Sequence, residues 1–521
     1  MKIRLCLVVF LVFLFAGSIK AQKNKTVIHI VHADRADYDD RLGKDIQRLI
    51  GNVVLRQDSS YFYSDSAYLN DKTRWFEGFG NVHVEVNDSI DIYGRRLKYN
   101  GETRFAEVFD DVVMRDDSTV LRTDYLTYDR IGHLASYPHH GIITRNEKQL
   151  VSEKGYYRDD IKVFYFRKDV VVTMPDYKML SDTLTYDTKI ETMHFFGPTT
   201  IINEDNILKG NYGWYDANAD IAFLDKKAVL MNKEQSISSD SMYYSRSVGF
   251  AKAMSDVVMH DTLNKAVVNG EYAELWSKKG YGFVTDSLET FYYADRDTLF
   301  MHSDSLYFYF DTLTNDLLRV KSFYNVRFYR ADIQGKCDSL DYLVADSSAR
   351  LRRDPVLWSR DSQMTGDSIN IVVKNNAIDS VLMTPNAFII QQDSIKGFNQ
   401  IKGKLIVAYF ENDELDRIFN DGNAETIYWL REDDGSLIGI NSSQSVSMII
   451  TVVKNQIQRI KYFQKTDEIL YPEEKLPEGK DLLKGFLWQD ELRPKDKTDI
   501  FRKPVIPSDN TDDNPKKRRR R

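Results

Sequence analysis

The sequence has very little cysteine and proline, and no apolar run long enough to cross a bilayer. Only 2 cysteines occur in 521 residues, and Cys6 lies in an N-terminal apolar segment. Without that segment Cys337 has no partner, which excludes a disulfide framework. No run reaches the ~20 apolar residues of a membrane-spanning helix. Hydrophobic residues make up 42% of the chain, so we expect a sizeable packed core stabilised by strand pairing.

Excess basic charge and convincing metal-ligand patterns are also missing. The formal net charge is -7, which excludes the basic stripe of a nucleic-acid binder. On a strand, His29 and His32 point to opposite faces, and so do the adjacent His139 and His140. No phosphate-cradling motif occurs, and no catalytic group can be singled out among so many Ser and Asp residues. We therefore predict a protein without a metal or cofactor.

Residues 1–21 have the features of a cleaved signal peptide. A positive n-region precedes the apolar run Leu5 to Ala16, and a small-residue cleavage site precedes Gln22. This run is too short to span a bilayer, although an uncleaved anchor is the alternative. Cys6 lies inside the run instead of at its end, which argues against a lipoprotein. We predict export, and a soluble protein outside the cytoplasm.

The strongest positive signal is a strand that recurs about every 29 residues. In the stretch Gly80 to Val86, Val82 and Val84 alternate with the polar His83 and Glu85, as in a strand with one apolar face. Similar turn-plus-strand copies begin at Gly51, Gly80, Asp111, Gly141, Asp169, Pro198, Lys227, Asp256, Asn325, Asp354 and Pro385.

A second landmark, a polar start ending in tyrosine, recurs in the same phase. Its members are Tyr38, Tyr68, Tyr99, Tyr128, Tyr157, Tyr186, Tyr215 and Tyr244. Each repeat therefore contains two or more short strands joined by Asp, Asn, Ser and Gly turns. A unit with one apolar face cannot bury it alone, so neighbouring units must stack. Recurrent Asp-Ser pairs, as at Asp65-Ser66, fit turn chemistry better than calcium or glycosidase carboxylates.

These patterns predict an all-β protein: an elongated, repetitive β-jellyroll or solenoid-like roll of ~29–30-residue repeats, in two stacked blocks. The repeats loosen near Leu288, so the predicted blocks are 22–290 and the more diverged 291–463. The remaining segment, 464–521, is interrupted by proline and ends in Lys and Arg. We predict a largely disordered basic tail with one docked piece, Leu482 to Trp488. The basic end could contact an anionic lipid or a phosphorylated sugar, or simply be solvated.

The phased motifs resemble the OstA-like family, the periplasmic β-jellyroll shared by LptA, LptC and the N-terminal part of LptD. The resemblance rests on Gly51-Asn52-Val53, Gly80-Asn81-Val82, Ser64 to Tyr68 and Ser181 to Tyr186, and extends over roughly 30–460. It implies a non-catalytic component of lipopolysaccharide transport, whose apolar interior shelters acyl chains. It also implies a periplasmic bridge between inner and outer membranes, built with other Lpt-type components or by end-to-end strand pairing of copies.

A one-sided apolar stripe repeated along the chain would itself give a continuous apolar lining. Each methylene removed from water contributes about 0.8 kcal/mol, so such a lining could hold several acyl chains. The candidate lining positions are Val53, Leu55, Val82, Val84, Val112, Met114, Ile142, Val170, Val172, Ile201, Val257, Met259, Val326 and Phe328.

Three alternatives to a lipid conduit remain at this stage. The first is a structural β-solenoid scaffold or surface adhesin in which the same residues fill a closed core. The second is a carbohydrate-active β-helix, which usually has shorter rungs and needs a carboxylate cluster. The third is an outer-membrane barrel, for which the repeats leave no room.

Overall fold

The computed structural model describes residues 27–38, 43, 45–87, 89–293, 297–375, 377–393, 395–411, 414–432, 434–453 and 456–502. The predicted signal peptide and the basic end of the tail therefore lie outside the described residues. The prediction of an all-β protein is confirmed, since the described residues form 36 strands and four short 3-10 helices. Within the described residues, no helix has the length and apolar character needed to span a membrane.

The chain divides into two compact units, 1–204 and 205–521. The division therefore falls well before the block boundary predicted at 290. The region near Leu288 keeps the repeat, and its longer interval reflects longer strands such as β21 and β22, which have 13 residues each.

The first unit contains strands β1 to β15. They are β1 His29–His32, β2 Arg35–Tyr38, β3 Ile46–Gln57, β4 Ser60–Asn70, β5 Trp75–Val86, β6 Ile90–Asn100, β7 Phe105–Asp116, β8 Thr119–Asp129, β9 Leu134–Tyr137, β10 Gly141–Arg145, β11 Lys148–Ser152, β12 Lys154–Arg158, β13 Val163–Thr173, β14 Lys178–Asp187 and β15 Thr192–Ile202.

The second unit contains strands β16 to β36. They are β16 Ile207–Asp216, β17 Ile221–Met231, β18 Gln235–Ser245, β19 Phe250–Asp261, β20 Ala266–Trp276, β21 Tyr281–Tyr293, β22 Thr298–Phe310, β23 Leu317–Arg330, β24 Ile333–Leu343, β25 Ser348–Arg352, β26 Val356–Ser359, β27 Ser362–Thr365, β28 Ser368–Lys374, β29 Ala377–Thr384, β30 Ala387–Gln392, β31 Phe398–Gly403, β32 Leu405–Glu411, β33 Glu414–Arg431, β34 Leu437–Val453, β35 Gln456–Phe463 and β36 Asp467–Tyr471. The 3-10 helices are Ser277–Lys279, Glu473–Lys475, Asp490–Leu492 and Asp499–Phe501.

Most strands of the first unit are antiparallel neighbours in sequence and carry an irregularity at mid-length, which we call the corner. In β5 the ladder with β4 is interrupted between Phe79 and His83. Gly80 and Asn81 at this corner have left-handed φ values of 70° and 40°. Each strand that has a corner thereby contributes one half to each of two facing layers. β8 pairs on its other side with two short strands: β9 pairs with one half of β8, and β10 pairs with the other half.

We call these layers A and B. Layer A includes Ile46–Ile50, Trp75–Phe79 and Phe105–Phe109, whereas layer B includes Val53–Gln57, Val82–Val86 and Val112–Asp116. The core lies between the layers. Phe62 in layer B packs against Phe76 and Tyr99 in layer A, with ring centroids 5.1 and 4.5 Å away.

The segment after β35 is more ordered than predicted. β36 pairs with β34, and residues 472–502, which we call the strap, lie along the outer face of layer B in the second unit. Gln400 donates to the carbonyl of Asp481 (2.8 Å) and accepts from the amide of Leu483 (2.8 Å). Gln363 likewise donates to the carbonyl of Leu487 and accepts from the amide of Gln489. The expected docked piece is thus part of a longer ordered segment.

Apolar packing holds the strap as well. Leu483 joins a buried cluster with Phe388, Ile390, Ile427, Trp429 and Ile440, and Phe486 and Trp488 pack against it. Farther along, the ring of Phe501 lies 5.0 Å from His302, and Ile500 is fully buried. The strap therefore covers a face of the sheet that would otherwise expose apolar side chains to water.

Candidate functional site: the apolar interior and its polar seam

The space between layers A and B is lined almost entirely by apolar side chains. Alternate residues of every strand half point inward, as the two-residue period of a strand requires. In β5, Val82, Val84 and Val86 are at most 2% exposed, whereas His83 and Glu85 are partly exposed on the outer face. In β7 and β13 the same alternation buries Val112 and Val170. The interior is therefore continuous within the first unit.

Twelve of the 14 predicted lining residues are buried between the layers. They are Val53, Leu55, Val82, Val84, Val112, Met114, Val170, Val172, Ile201, Val257, Val326 and Phe328. All are at most 5% exposed, so the two layers pack directly on one another at these positions. The structure thus buries these residues in the core of the unit to which each belongs.

The other two predicted lining residues, Ile142 and Met259, are not fully buried. Ile142 lies on the outer face of β10 opposite Arg122 and Val151, and the inward residue is Ile143, which is fully buried. Gly141 takes the inward place that a valine has in other repeats. A Cβ on Gly141 would lie 2.4 Å from the Tyr137 ring, so only glycine fits and the strand starts one residue out of phase. Met259 lies in the inward phase of β19 but is only partly buried.

Sequence reasoning missed the contribution of layer A. Its inward residues include Leu49, Leu69, Phe76, Leu97, Tyr99, Val108, Leu126, Tyr128, Tyr157, Phe164, Phe166 and Tyr186, all at most 3% exposed. The recurring tyrosine was the available signal, since from Tyr99 onward it marks the inward position next to each layer A turn.

The corner explains why Gly-Asn precedes the valine strand. Gly80 needs its positive φ, and a Cβ there would lie 2.3 Å from Oδ2 of Asp65. Asn81 donates from Nδ2 to the Asp65 carboxylate on the neighbouring strand. Asn325 with Asp304 and Asn386 with Asp367 repeat this contact. The Asp of the Asp-Ser motif therefore has a structural role at the corner.

The edge opposite the corners is closed by a line of polar side chains, which we call the seam. Here a layer B turn meets a layer A turn that lies 44 to 46 residues later in the chain. At the central contact, Asp116 of layer B accepts from Tyr157 Oη (2.6 Å) and Lys162 Nζ (2.6 Å) of layer A. Burial and the Asp116 carboxylate raise the pKa of Tyr157, so its hydroxyl remains a donor.

The next contact of the seam joins Glu191 of layer A to Arg145 and Lys148 of layer B. Arg145 Nε lies 3.1 Å from Glu191 Oε1, and Lys148 Nζ donates to Oε2. Tyr186 also donates to this carboxylate. Burial raises the pKa of Glu191, but the hydrogen bonds from Lys148, Tyr186 and Arg145 outweigh it and hold the pKa below its ordinary range.

The first contact of the seam is built around Gln57 and Tyr99. Gln57 donates from Nε2 to the Gly101 carbonyl (3.0 Å) and accepts from the Tyr99 hydroxyl. Arg130 Nη1 donates to the same hydroxyl at 2.8 Å, and burial raises the pKa of Tyr99. Arg104 pairs with Asp58 at 3.0 Å. Each of these bonds has a side-chain donor, and none of them belongs to a strand ladder.

Between these contacts the seam contains a cavity of about 200 Å³. Four layer B residues, Val86, Asn87, Ser89 and Ile90, line it on one side. The layer A residues Tyr128, His133, Asp159, Asp160 and Lys162 line it on the other. His133 Nδ1 lies 2.8 Å from Asp159 Oδ1, and Tyr128 donates to the same carboxylate. No group of three or more potential metal ligands occurs in the part of the chain that the structure describes.

Comparison with known proteins agrees with the repeats. Residues 25–182 and 179–240 match the profile of a family described as OstA-like protein. Among solved structures, the chain is similar to LptH of Pseudomonas aeruginosa, described as the LptA homologous periplasmic component of the conserved lipopolysaccharide transport device. The identity is 15%, and the match covers 27% of this chain and 95% of that one with a TM-score of 0.22. None of the curated proteins searched matches the chain. Over 25–240, where the profile matches, the chain is similar to the OstA-like family.

Proposed function

We propose that the protein is a non-catalytic, periplasmic lipopolysaccharide-binding protein that forms part of an LptA-like transport bridge for outer-membrane assembly. The observation that carries this proposal is the OstA-like match over the same repeats that build the apolar interior. In that family, the resemblance implies, acyl chains are sheltered between strands. The acyl chains of lipid A would lie between layers A and B.

The repeat itself suits a lipid that moves along the interior. Val53, Val82 and Val112 occupy equivalent inward places in successive repeats, and Val170 has the same place after the repeat that contains Gly141. Because these places are nearly identical, a bound acyl chain would pass between them without a deep energy minimum. The partners would be other Lpt-type envelope components or a second copy, joined through strand edges. β1 and β2 each pair with β3, and among the described residues no other strand pairs with them.

Site-specific photo-crosslinking in cells tests lipid contact with the interior. A photo-reactive amino acid at Val84 should capture lipopolysaccharide, because Val84 is fully buried between the layers. The adjacent Glu85, on the outer face of the same strand, is the matched control. Capture at position 85 but not at 84 would contradict the proposal. Depletion of the protein should make lipopolysaccharide accumulate at the inner membrane.

The second candidate function is a structural β-solenoid scaffold or adhesin with a closed core. The observation in its favour is the complete burial of residues such as Leu49, Val84 and Val172. A scaffold would not need its layers to separate. Hydrogen exchange of the inward strands separates the two candidates: added lipopolysaccharide should change protection along layers A and B in a conduit, and leave it unchanged in a scaffold.

A further inference from the structure

The seam has a chemical composition that closing a core does not require. Five cations lie along it: Arg104, Arg130, Arg145, Lys148 and Lys162. Each is paired with a carboxylate of this chain, and Asp116, the acceptor for Lys162, is only 5% exposed. Replacing buried ion pairs by apolar residues is often neutral or stabilising, so these charges are not the simplest way to seal the edge.

The seam is also the edge at which the layers can part with the least disruption. At the corners the two layers are joined by the continuous chain of every long strand. At the seam, the described residues join the layers through side-chain donors, as in the ion pairs Lys162–Asp116 and Arg145–Glu191. Separating the layers there breaks no strand ladder. An acyl chain entering sideways would cross this line.

We propose that the seam is the headgroup site for an anionic lipid with several acyl chains. Phosphate groups of the lipid replace Asp116 and Glu191 as partners of Lys162, Arg145 and Lys148, while the acyl chains pass between layers A and B. This inference rests on the proposed function and names the feature of the lipid that the protein recognises. The two carboxylates hold the cations in place until a phosphate displaces them.

The donors are suited to phosphate oxygens. Arg145 presents Nε, Nη1 and Nη2, which now bond Glu191, Ser118 with Thr119, and the Thr188 carbonyl. A guanidinium with several directed N–H groups matches the geometry of phosphate. At the first contact, the buried Nε–H of Arg130 has no acceptor among the described residues.

The cavity in the seam gives this site room on the other side of Lys162. Its volume of about 200 Å³ can hold a phosphate group with its bound water, and Lys162 and His133 line it. Two acidic side chains, Asp159 and Asp160, line it too, but both are engaged. Asp159 accepts from Tyr128, and Asp160 pairs with Arg158 at 2.7 Å. Lys162 can therefore turn from Asp116 towards a ligand in the cavity.

Two lipid probes test this site in the full-length protein. One is a bis-phosphorylated, hexa-acylated glucosamine disaccharide, and the other is its dephosphorylated form. Lys162→Gln and Arg145→Gln should each weaken binding of the phosphorylated probe about tenfold and leave the dephosphorylated probe unchanged. Asp116→Asn and Glu191→Gln should bind the phosphorylated probe more tightly, because the competing carboxylate is gone. Arg319→Gln, which breaks an ion pair with Asp341 in the second unit, is the matched control.

A crosslink tests sideways entry. In the double variant Asp116→Cys/Lys162→Cys, a short bifunctional thiol reagent should bridge the seam. Cys337, the other cysteine of the described chain, is buried and its pKa is raised to about 12, so it should not react. The bridged protein should lose binding of the phosphorylated probe, and the unbridged double variant should retain measurable binding.

The outcomes separate this inference from the proposed function. If both probes bind equally well to the wild type and to every seam variant, the headgroup site is wrong but lipid binding stands. If neither probe binds the wild type, the proposed function fails together with the inference. If the bridged protein binds as well as the unbridged one, the lipid does not enter through the seam. Hydrogen exchange of layers A and B checks that each variant is folded.

Discussion

Asn81 and Asp65 join neighbouring strands at the corner, with Asn81 Nδ2 2.9 Å from Asp65 Oδ2 and 3.2 Å from Oδ1. The preceding Gly80 leaves room for this carboxylate and adopts a left-handed φ of 70°. The contact fixes the point at which each strand passes from layer A to layer B. The corner therefore restricts which residues can occupy positions 80 and 81 more than an ordinary strand position would.

Replacing Gly80 with alanine tests this demand. We expect Gly80→Ala to lower the free energy of unfolding by about 1–3 kcal/mol, because the new Cβ is strained and overlaps Asp65. Hydrogen exchange of β4 and β5 is the appropriate measurement, since two units need not unfold together. Gly78→Ala, with no positive φ and a nearest contact of 3.2 Å, should cost less. A larger effect at Gly78 would contradict the assignment of strain to the corner.

Removing one hydroxyl from the seam should be costly. Tyr157→Phe leaves Asp116 with Lys162 as its remaining side-chain partner, and we expect a loss of about 1–3 kcal/mol. Tyr156→Phe is the control, because Tyr156 lies on the outer face of the same strand and is 38% exposed. Exchange rates in β7 and β12 report the difference. Equal effects at the two positions would mean that the buried bond adds nothing.

The seam should also give a defined pH dependence. The pKa of Glu191 is lower in the folded protein than its ordinary 4.5. Its ionised form therefore stabilises the fold above about pH 4.5, and this stability is lost as the pH falls through the depressed folded pKa. Glu191→Gln should flatten the acid dependence of exchange in β14 and β15. An unchanged slope below pH 4.5 would show that another group is responsible.

The register of β10 can be checked by introducing a charge. Val84→Asp places a carboxylate in the closed interior and should cost about 4 kcal/mol or more. Ile142→Asp places the same group on the outer face and should cost about 1 kcal/mol or less. Urea unfolding followed by hydrogen exchange measures both. A severe effect of Ile142→Asp would contradict the placement of Ile142 on the outer face.

These comparisons show what the sequence could and could not predict. The phase of Val82 and Val84 follows from strand period alone, and the recurrence at 29 residues implies stacking, so the all-β fold was accessible. The phase of the strand that begins at Gly141 could not be predicted, because the ring of Tyr137 in another strand determines it. Local patterns do not contain that contact.

The seam could not be predicted for a related reason. Asp116 and Lys162 are 46 residues apart, and nothing near either residue in the sequence distinguishes it from the many other charged residues of the chain. Only the stacking of layer A on layer B brings them together. The tyrosine landmark was visible, but its partners, Gln57, Asp116, Asp159 and Glu191, do not share one residue type. The division at residue 204 likewise has no composition signal.

The strap offers a prediction that is independent of lipid. Gln400→Ala removes a donor to Asp481 and an acceptor for Leu483 in one step. We expect faster hydrogen exchange and faster proteolysis within 476–490, since the backbone of this segment loses two buried bonds. Gln444→Ala, at an exposed position of β34, is the control. No change in the Gln400→Ala variant would mean that these two bonds are not needed to hold the strap.

The position of the strap in the chain has a consequence for how the protein is made. Residues 472–502 are synthesised after the strands that they cover, from β22 to β33. Until they emerge, Phe388, Ile390 and Trp429 lie on an uncovered sheet face. A nascent or truncated chain should therefore be prone to aggregation or bound by chaperones at this face, whereas the finished chain is protected. The strap thus covers a sheet whose strands have been synthesised before it.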